Sequence, residues 1–111
     1  MENKMTQQEL EGPKGWKIWK IIGRIDTQTA GAAYEKGEAI VKENAKTVID
    51  MSEMDYLSSA GLRVLLRLSK LAQDNGGQFL VSGASGMVHT VLEDSGMDVL
   101  LNMIDSLDEL E

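Results

Sequence analysis

A chain of 111 residues, of which 42% are apolar and 26% charged, suits one globular domain built around a single core. The formal net charge of −7 argues against a nucleic acid partner, because phosphate backbones attract basic surfaces, and favours a protein partner with a basic patch. The absence of cysteine excludes disulfides, thiol catalysis and the common zinc sites. No apolar run is long enough to span a membrane and the N-terminus does not resemble a signal peptide, which predicts a cytoplasmic protein without a membrane partner.

The first half of the chain predicts two strands and a helix. Residues 6–11 predict a weak edge strand, a Gly-Pro-Lys-Gly turn follows, and residues 16–25 predict a strand rich in tryptophan and isoleucine. Trp16 and Trp19 are expected on opposite faces of that strand. Asp26 or Thr27 is expected to cap the next helix. Apolar and small residues at three- and four-residue steps predict its inner face: Ala30, Ala33, Tyr34, Gly37, Ile40 and Val41.

The second half continues the alternation. Residues 46–51 predict a strand, residues 62–73 a helix, residues 78–82 a short strand, and Ser85-Gly86 the start of a third helix. The buried side of the second helix is expected to carry Leu62, Leu65, Leu66, Ser69 and Ala72, and that of the third Val88, Val91 and Leu92.

The end of the chain predicts a last strand over residues 99–104 and a short acidic helix opened by the capping box Ser106-Leu107-Asp108-Glu109. Strands and helices alternate after residue 26, which predicts an α/β fold with a small mixed sheet. We expect the first two strands to be antiparallel and the helix-connected strands to be parallel. A single domain is expected over residues 1–111, with residues 1–4 free to be disordered.

Two serines stand just before the second predicted helix. Ser58 and Ser59 lie where free backbone N–H groups and the positive end of the helix dipole meet. A serine hydroxyl there can cap the helix, and a phosphate there would be well placed. On spacing alone a passive cap is the commoner interpretation, and a phosphorylation switch is the alternative.

No catalytic constellation is evident from the sequence. His89 is the one histidine and has no obvious carboxylate partner in the sequence around it, which favours a partly exposed helix residue. The glycine-rich segment of residues 82–86 lacks the lysine of a phosphate-binding loop. Four carboxylates near strand ends are commoner as turn residues than as magnesium ligands: Asp26, Asp50, Glu53 and Asp55. We therefore expect no enzyme, no metal and no cofactor.

Three short segments carry a family resemblance. Gly23-Arg24-Ile25-Asp26, together with Ile49-Asp50-Met51-Ser52 and Ser58-Ser59-Ala60-Gly61-Leu62, resembles the STAS domain of bacterial anti-sigma factor antagonists, over roughly residues 5–110. The resemblance implies the STAS fold, a small mixed β-sheet of four to five strands with about four helices packed against it. It also implies partner switching. The unphosphorylated antagonist binds an anti-sigma factor with serine kinase activity and so releases a sigma factor, phosphorylation ends the binding, and a PP2C-type phosphatase resets the antagonist.

The resemblance also implies site residues. Alignment on Gly61 places the phosphoacceptor at Ser59, with Ser58 at the family's acidic position and as second candidate acceptor. Asp26 matches an aspartate close to the acceptor in the family. Arg63 stands where many members have a small residue, and it can contact a phosphate or a partner carboxylate or be a solvated helix residue. The partner-binding residues implied are Asp26, Ser58, Ser59, Gly61, Leu62 and Arg63.

Two other functions compete with the switch. In a scaffold STAS domain, Ser59 would be only a helix cap, and Ser59→Ala would cost roughly 0.5–2 kcal/mol of stability without changing any interaction. In a small-molecule or nucleotide-binding module, a ligand would occupy the cleft beside Asp26. A thermal shift with nucleotide alone would then be expected.

Overall fold

The structure, a computed structural model, describes residues 5–111 and contains a five-stranded sheet, four α-helices and two 3-10 turns. The expectation of disorder over residues 1–4 lies outside the described residues. In chain order the elements are β1 (Met5–Glu11), β2 (Lys17–Ile25), α1 (Ala30–Glu43), β3 (Lys46–Leu57), α2 (Ser59–Asp74), β4 (Gln78–Ser82), α3 (Gly86–Asp94), α4 (Met97–Leu100) and β5 (Asn102–Ile104). The 3-10 turns are Pro13–Gly15 and Leu107–Glu109. The predicted α/β class is confirmed, as is the edge strand at the start.

The strands lie in the sheet in chain order, from β1 at one edge to β5 at the other. β1 is antiparallel to β2, and β2, β3, β4 and β5 are mutually parallel, as predicted. Helical segments connect each pair of neighbouring parallel strands. Since such crossovers are right-handed, three that advance in one direction place their helices on the same face of the sheet. The opposite face is left for other parts of the chain to cover.

The main core lies between that sheet face and the helices. Trp19 from β2, Ile49 from β3 and Leu68 from α2 are all fully buried in it. Gly37 of α1 allows the closest approach, because a Cβ atom there would lie 2.4 Å from Leu68 Cδ1 and 2.6 Å from Trp19 Cη2. A glycine at this point therefore sets how near α1 lies to α2 and to the sheet.

A second, smaller core covers part of the opposite sheet face. Trp16, Ile18 and Val48 form it with Leu110, which the C-terminal 3-10 turn brings back across the strands. The indole Nε1–H of Trp16 donates a hydrogen bond to the main-chain oxygen of Glu111 at 2.8 Å. The predicted placement of the two tryptophans on opposite faces is confirmed, and both are buried.

The last predicted strand is wrong for its first half. Residues 97–100 form one turn of helix, in which the N–H of Leu101 donates to the carbonyl of Met97 at 2.8 Å, and β5 keeps only three residues. The turn becomes possible because Gly96 takes a left-handed φ of 78°. Val99 and Leu100 consequently point outward and are exposed. The predicted capping box is confirmed, with the Ser106 and Glu109 side chains holding a 3-10 turn.

The buried face of α2 is rotated from the predicted one. Leu65 and Ala72 are buried as predicted, whereas Leu66 is exposed and Leu62 and Ser69 are half-buried. The other buried positions of α2 are Gly61, Val64 and Leu68. The cause lies at the start of the helix. Gly61 packs against the sheet there, so the residues on the same helix face as Gly61 are the ones that become buried.

Candidate functional site

The junction between β3 and α2, around Ser58 and Ser59, lies beside the loop that follows β2. β3 reaches this point because it is longer than predicted. It continues past Met51 to Leu57, and register shifts between β2 and β3 give β3 one extra residue at each of two points. Such bulges bend a strand and re-aim its end. The last pair in register is Ile25 with Leu57, so the loops after β2 and β3 leave the sheet together. The N–H of Ser58 donates to the carbonyl of Ile25 at 2.9 Å and joins them.

Ser58 is the cap of α2. Its backbone is extended, and its Oγ accepts a hydrogen bond from the N–H of Gly61 at 3.2 Å, which satisfies one of the free donors of the first turn. Ser59 is the first residue of the helix, and it is exposed. Its side chain makes no hydrogen bond to any of residues 5–111. The interpretation in which Ser59 serves as the cap is therefore wrong, because the neighbouring serine takes that position.

Gly61 fits α2 against the end of the sheet. A Cβ atom at this residue would lie 2.5 Å from Leu57 Cδ1 and 3.0 Å from Ile25 Cγ2. Gly61 is buried, so it positions the helix start and is not itself accessible to a partner. Leu62, the next predicted contact residue, is half-buried and packs partly against the main core.

Asp26 organises the loop between β2 and α1. Its Oδ1 accepts hydrogen bonds from the N–H groups of Gln28 at 2.9 Å and of Thr29 at 3.0 Å, which is the short-range turn geometry that aspartate favours. Helix α1 begins only at Ala30, so the predicted cap at Asp26 or Thr27 is wrong: the N-cap is Thr29, whose side chain makes no capping hydrogen bond. Asp26 fixes the preceding turn instead.

An arginine completes this loop. Arg24 Nε lies 3.1 Å from Asp26 Oδ2, and the Arg24 guanidinium stacks 4.4 Å from the centroid of the Tyr56 ring. The Asp26 side chain is only 12% exposed, so its carboxylate is largely turned into the loop and engaged there. Beside the two serines, Asp26 therefore contributes more to the shape of the junction than to its accessible surface.

A shallow groove of about 270 Å³ runs from this junction between α1 and α2. Its walls hold two arginines, Arg63 and Arg67, on the exposed side of α2. Small side chains leave the space open, and the remaining lining residues are Ala30, Gly31, Tyr34, Ala60 and Val64. The sequence singled out Arg63, but the groove and the part that Arg67 has in it were missed.

Comparison with known proteins gives the family. Residues 7–110 match the family model described as the STAS domain. The chain belongs to the STAS domain family. It is 30% identical over 111 aligned residues to a protein of Paenibacillus polymyxa named anti-sigma F factor antagonist, and the alignment covers 95% of each chain.

Solved structures share the fold of this STAS domain. An anti-sigma factor antagonist from Mycobacterium paratuberculosis matches with a TM-score of 0.80 at 24% identity, over 95% of this chain and 89% of the other. The anti-sigma factor antagonist SpoIIAA, in its unphosphorylated form, matches with a TM-score of 0.75 at 16% identity, over 91% and 88%. The fold implied by the sequence resemblance is thus confirmed.

The remaining candidate groups of the STAS domain lie apart from the junction. His89 is exposed and has a carboxylate neighbour that the sequence reasoning missed, since its Nδ1 lies 3.4 Å from Glu93 Oε1 one helical turn on. Within residues 5–111, no three acidic or histidine side chains come together as a metal site would require. Over the same residues, no helix combines the length and the apolar character needed to cross a bilayer.

Proposed function

We propose that this STAS domain is an anti-sigma factor antagonist. Its unphosphorylated form binds an anti-sigma factor that has serine kinase activity and so releases a sigma factor, and phosphorylation of Ser59 ends the binding. Family membership and the name of the Paenibacillus relative support the role. The single observation that supports Ser59 as the phosphorylation site is that its hydroxyl, at the first position of α2, is exposed and makes no hydrogen bond to the described residues.

The structure supports Ser59 over Ser58 as the acceptor on physical grounds. A kinase needs a hydroxyl that it can reach and reorient, and the half-buried Ser58 would have to give up the hydrogen bond that caps α2. A phosphate on Ser59 adds about −1.5 to −2 charges, which meet the positive end of the helix dipole. The fold should therefore survive phosphorylation, while any partner docked at this junction meets a new charge.

The proposed partner surface comprises the exposed parts of the junction. Ser59, Arg63 and the half-buried Ser58 and Leu62 face outward to different degrees, with Asp26 shaping the loop beside them. Gly61 acts by letting α2 lie close to the sheet. The protein would work in the cytoplasm as one domain, have no catalysis of its own, and be reset by a PP2C-type phosphatase.

The test begins with recovery of the protein from its native cells together with its bound partners, followed by phosphopeptide mapping. Phosphate on Ser59, with a kinase-like anti-sigma protein held only by the unphosphorylated pool, would support the proposal. A stable complex with no phosphate on either serine under any growth condition would contradict it. A thermal shift with nucleotide alone would favour the small-molecule function instead.

Variants sharpen the test. Ser59→Ala should keep the partner bound under phosphorylating conditions, whereas Ser59→Asp should weaken the complex by adding charge at the same place. Ser85 offers a matched control, because it is an exposed serine at the start of α3 whose side chain makes no capping hydrogen bond. Ser85→Ala and Ser85→Asp should both bind like the parent. If the Ser59 variants also do, the switch is wrong.

A further inference from the structure

The groove between α1 and α2 is a local positive site on an acidic protein. The whole chain carries a formal charge of −7, yet both charged residues lining this groove are arginines. Arg67 is held in place, with its guanidinium 4.0 Å from the centroid of the Tyr34 ring. The Tyr34 hydroxyl in turn donates to Glu38 Oε2 at 3.1 Å. One cationic wall of the groove is therefore fixed before any partner arrives.

Arg63 is the second cation and differs from Arg67 in its surroundings. It is exposed, and within residues 5–111 it makes no ion pair, hydrogen bond or ring contact. A guanidinium presents several donors in a planar fork that matches a carboxylate or a phosphate. Since the groove between the two arginines is lined by small and apolar residues, a short acidic side chain can enter it and meet both. Charge complementarity thus points to an acidic segment as the occupant.

Arg63 also stands one helical turn after Ser59. Residues four apart lie on the same face of a helix, and side chains lean towards the helix N-terminus, so Arg63 leans towards Ser59. A phosphate on Ser59 would carry three acceptor oxygens into reach of that guanidinium. The same cation is therefore available to two anions, one from a partner and one from the chain itself.

We infer that the groove receives an acidic side chain of the partner between Arg63 and Arg67, and that phosphate on Ser59 ends the binding by capturing Arg63. This inference rests on the proposed function and adds how the phosphate acts. The phosphate does more than repel the partner, because it takes away one of the two cations that the partner's carboxylate needs. Arg67, stacked on Tyr34, is left in place in both states.

The capture can be tested without any partner. The protein is produced with phosphoserine incorporated genetically at position 59. Its ³¹P NMR chemical shift is then followed as the pH is varied. The second phosphate pKa, about 6 for free phosphoserine, should be lower in the parent than in Arg63→Gln by roughly 0.3–1 pH units, because the guanidinium favours the dianion. Lys14→Gln removes an exposed positive charge from the 3-10 turn before β2, at the other end of that strand from the two serines, and should titrate like the parent. Equal pKa values in the parent and Arg63→Gln would overturn the capture.

The docking is tested with the anti-sigma partner recovered above. Arg63→Gln should weaken the unphosphorylated complex by about tenfold, and Lys14→Gln should not. Phosphate on Ser59 should then weaken the Arg63→Gln complex by a smaller factor than it weakens the parent complex, since the two changes remove the same interaction. Equal factors would show simple repulsion and overturn the inference, whereas a parent complex indifferent to phosphate would overturn the proposed function itself.

Discussion

The assignment of the two serines leads to a stability prediction that separates them. In Ser58→Ala the N–H of Gly61 loses its acceptor at 3.2 Å, and Gly61 is buried. Loss of an N-cap hydroxyl costs about 0.5–2 kcal/mol, and a donor left unsatisfied against protein atoms belongs in the upper half of that range. We therefore expect Ser58→Ala to lower the free energy of unfolding by about 1–2 kcal/mol. For a domain of this size that corresponds to a Tm about 4–8 °C lower.

The assay is equilibrium unfolding in urea, followed by circular dichroism and compared at a common m value. Ser59→Ala should stay within about 0.5 kcal/mol of the parent, because an exposed side chain without a hydrogen bond is removed. Ser58→Asp should also stay close to the parent, since its carboxylate can accept from the same N–H and suits the helix dipole. A Ser59→Ala variant as destabilised as Ser58→Ala would refute the assignment of the cap.

Three further predictions follow from packing, hydrogen bonding and charge. Gly37→Ala places a methyl group 2.4 Å from Leu68 Cδ1 and should cost about 1–3 kcal/mol in urea unfolding; a neutral result would show that α1 shifts freely. Asp26→Ala removes the acceptor of two N–H groups and should lower stability by about 1–3 kcal/mol, with Asp26→Asn less affected because it keeps an oxygen. The hydrogen bond from Lys36 lowers the pKa of Glu9 from its ordinary value of 4.5. The Glu9–Lys36 pair therefore contributes to stability above pH 4.5, and this contribution is lost as the pH falls through the lower pKa of the folded state. In Lys36→Gln the loss of stability on acidification should be smaller, and an unchanged pH profile would contradict the pairing.

Local sequence patterns were sufficient for most of the architecture. The alternation of strand and helix signals after residue 26 predicted the parallel strands, and the strand periodicity placed Trp16 and Trp19 on opposite faces. Residues 97–104 could not be predicted in the same way. A short apolar run suits a strand or a helical turn equally well, and the decision came from the left-handed backbone at Gly96.

The site was predicted in place but not in detail. The sequence pattern located the two serines at a helix start but could not tell which of them caps the helix. That depends on where β3 ends and on the direction in which its two extra residues lead the chain. Apolar periodicity put Leu66 inward, because it gave no weight to Gly61, whose missing side chain brings that face of α2 against the sheet. The groove was invisible to sequence reasoning, as it arises from α1 and α2 together.

The two buried tryptophans give the protein separate optical reporters for its two sheet faces. Trp19 lies under the helices, and its Nε1–H donates a hydrogen bond to Gln7 Oε1 at 2.9 Å. Trp16 lies under the C-terminal turn. An indole that becomes hydrated emits at longer wavelength, so single Trp→Phe variants would let each face be followed alone. Detachment of the C-terminal turn would redden Trp16 emission and leave that of Trp19 unchanged, which distinguishes local opening from global unfolding.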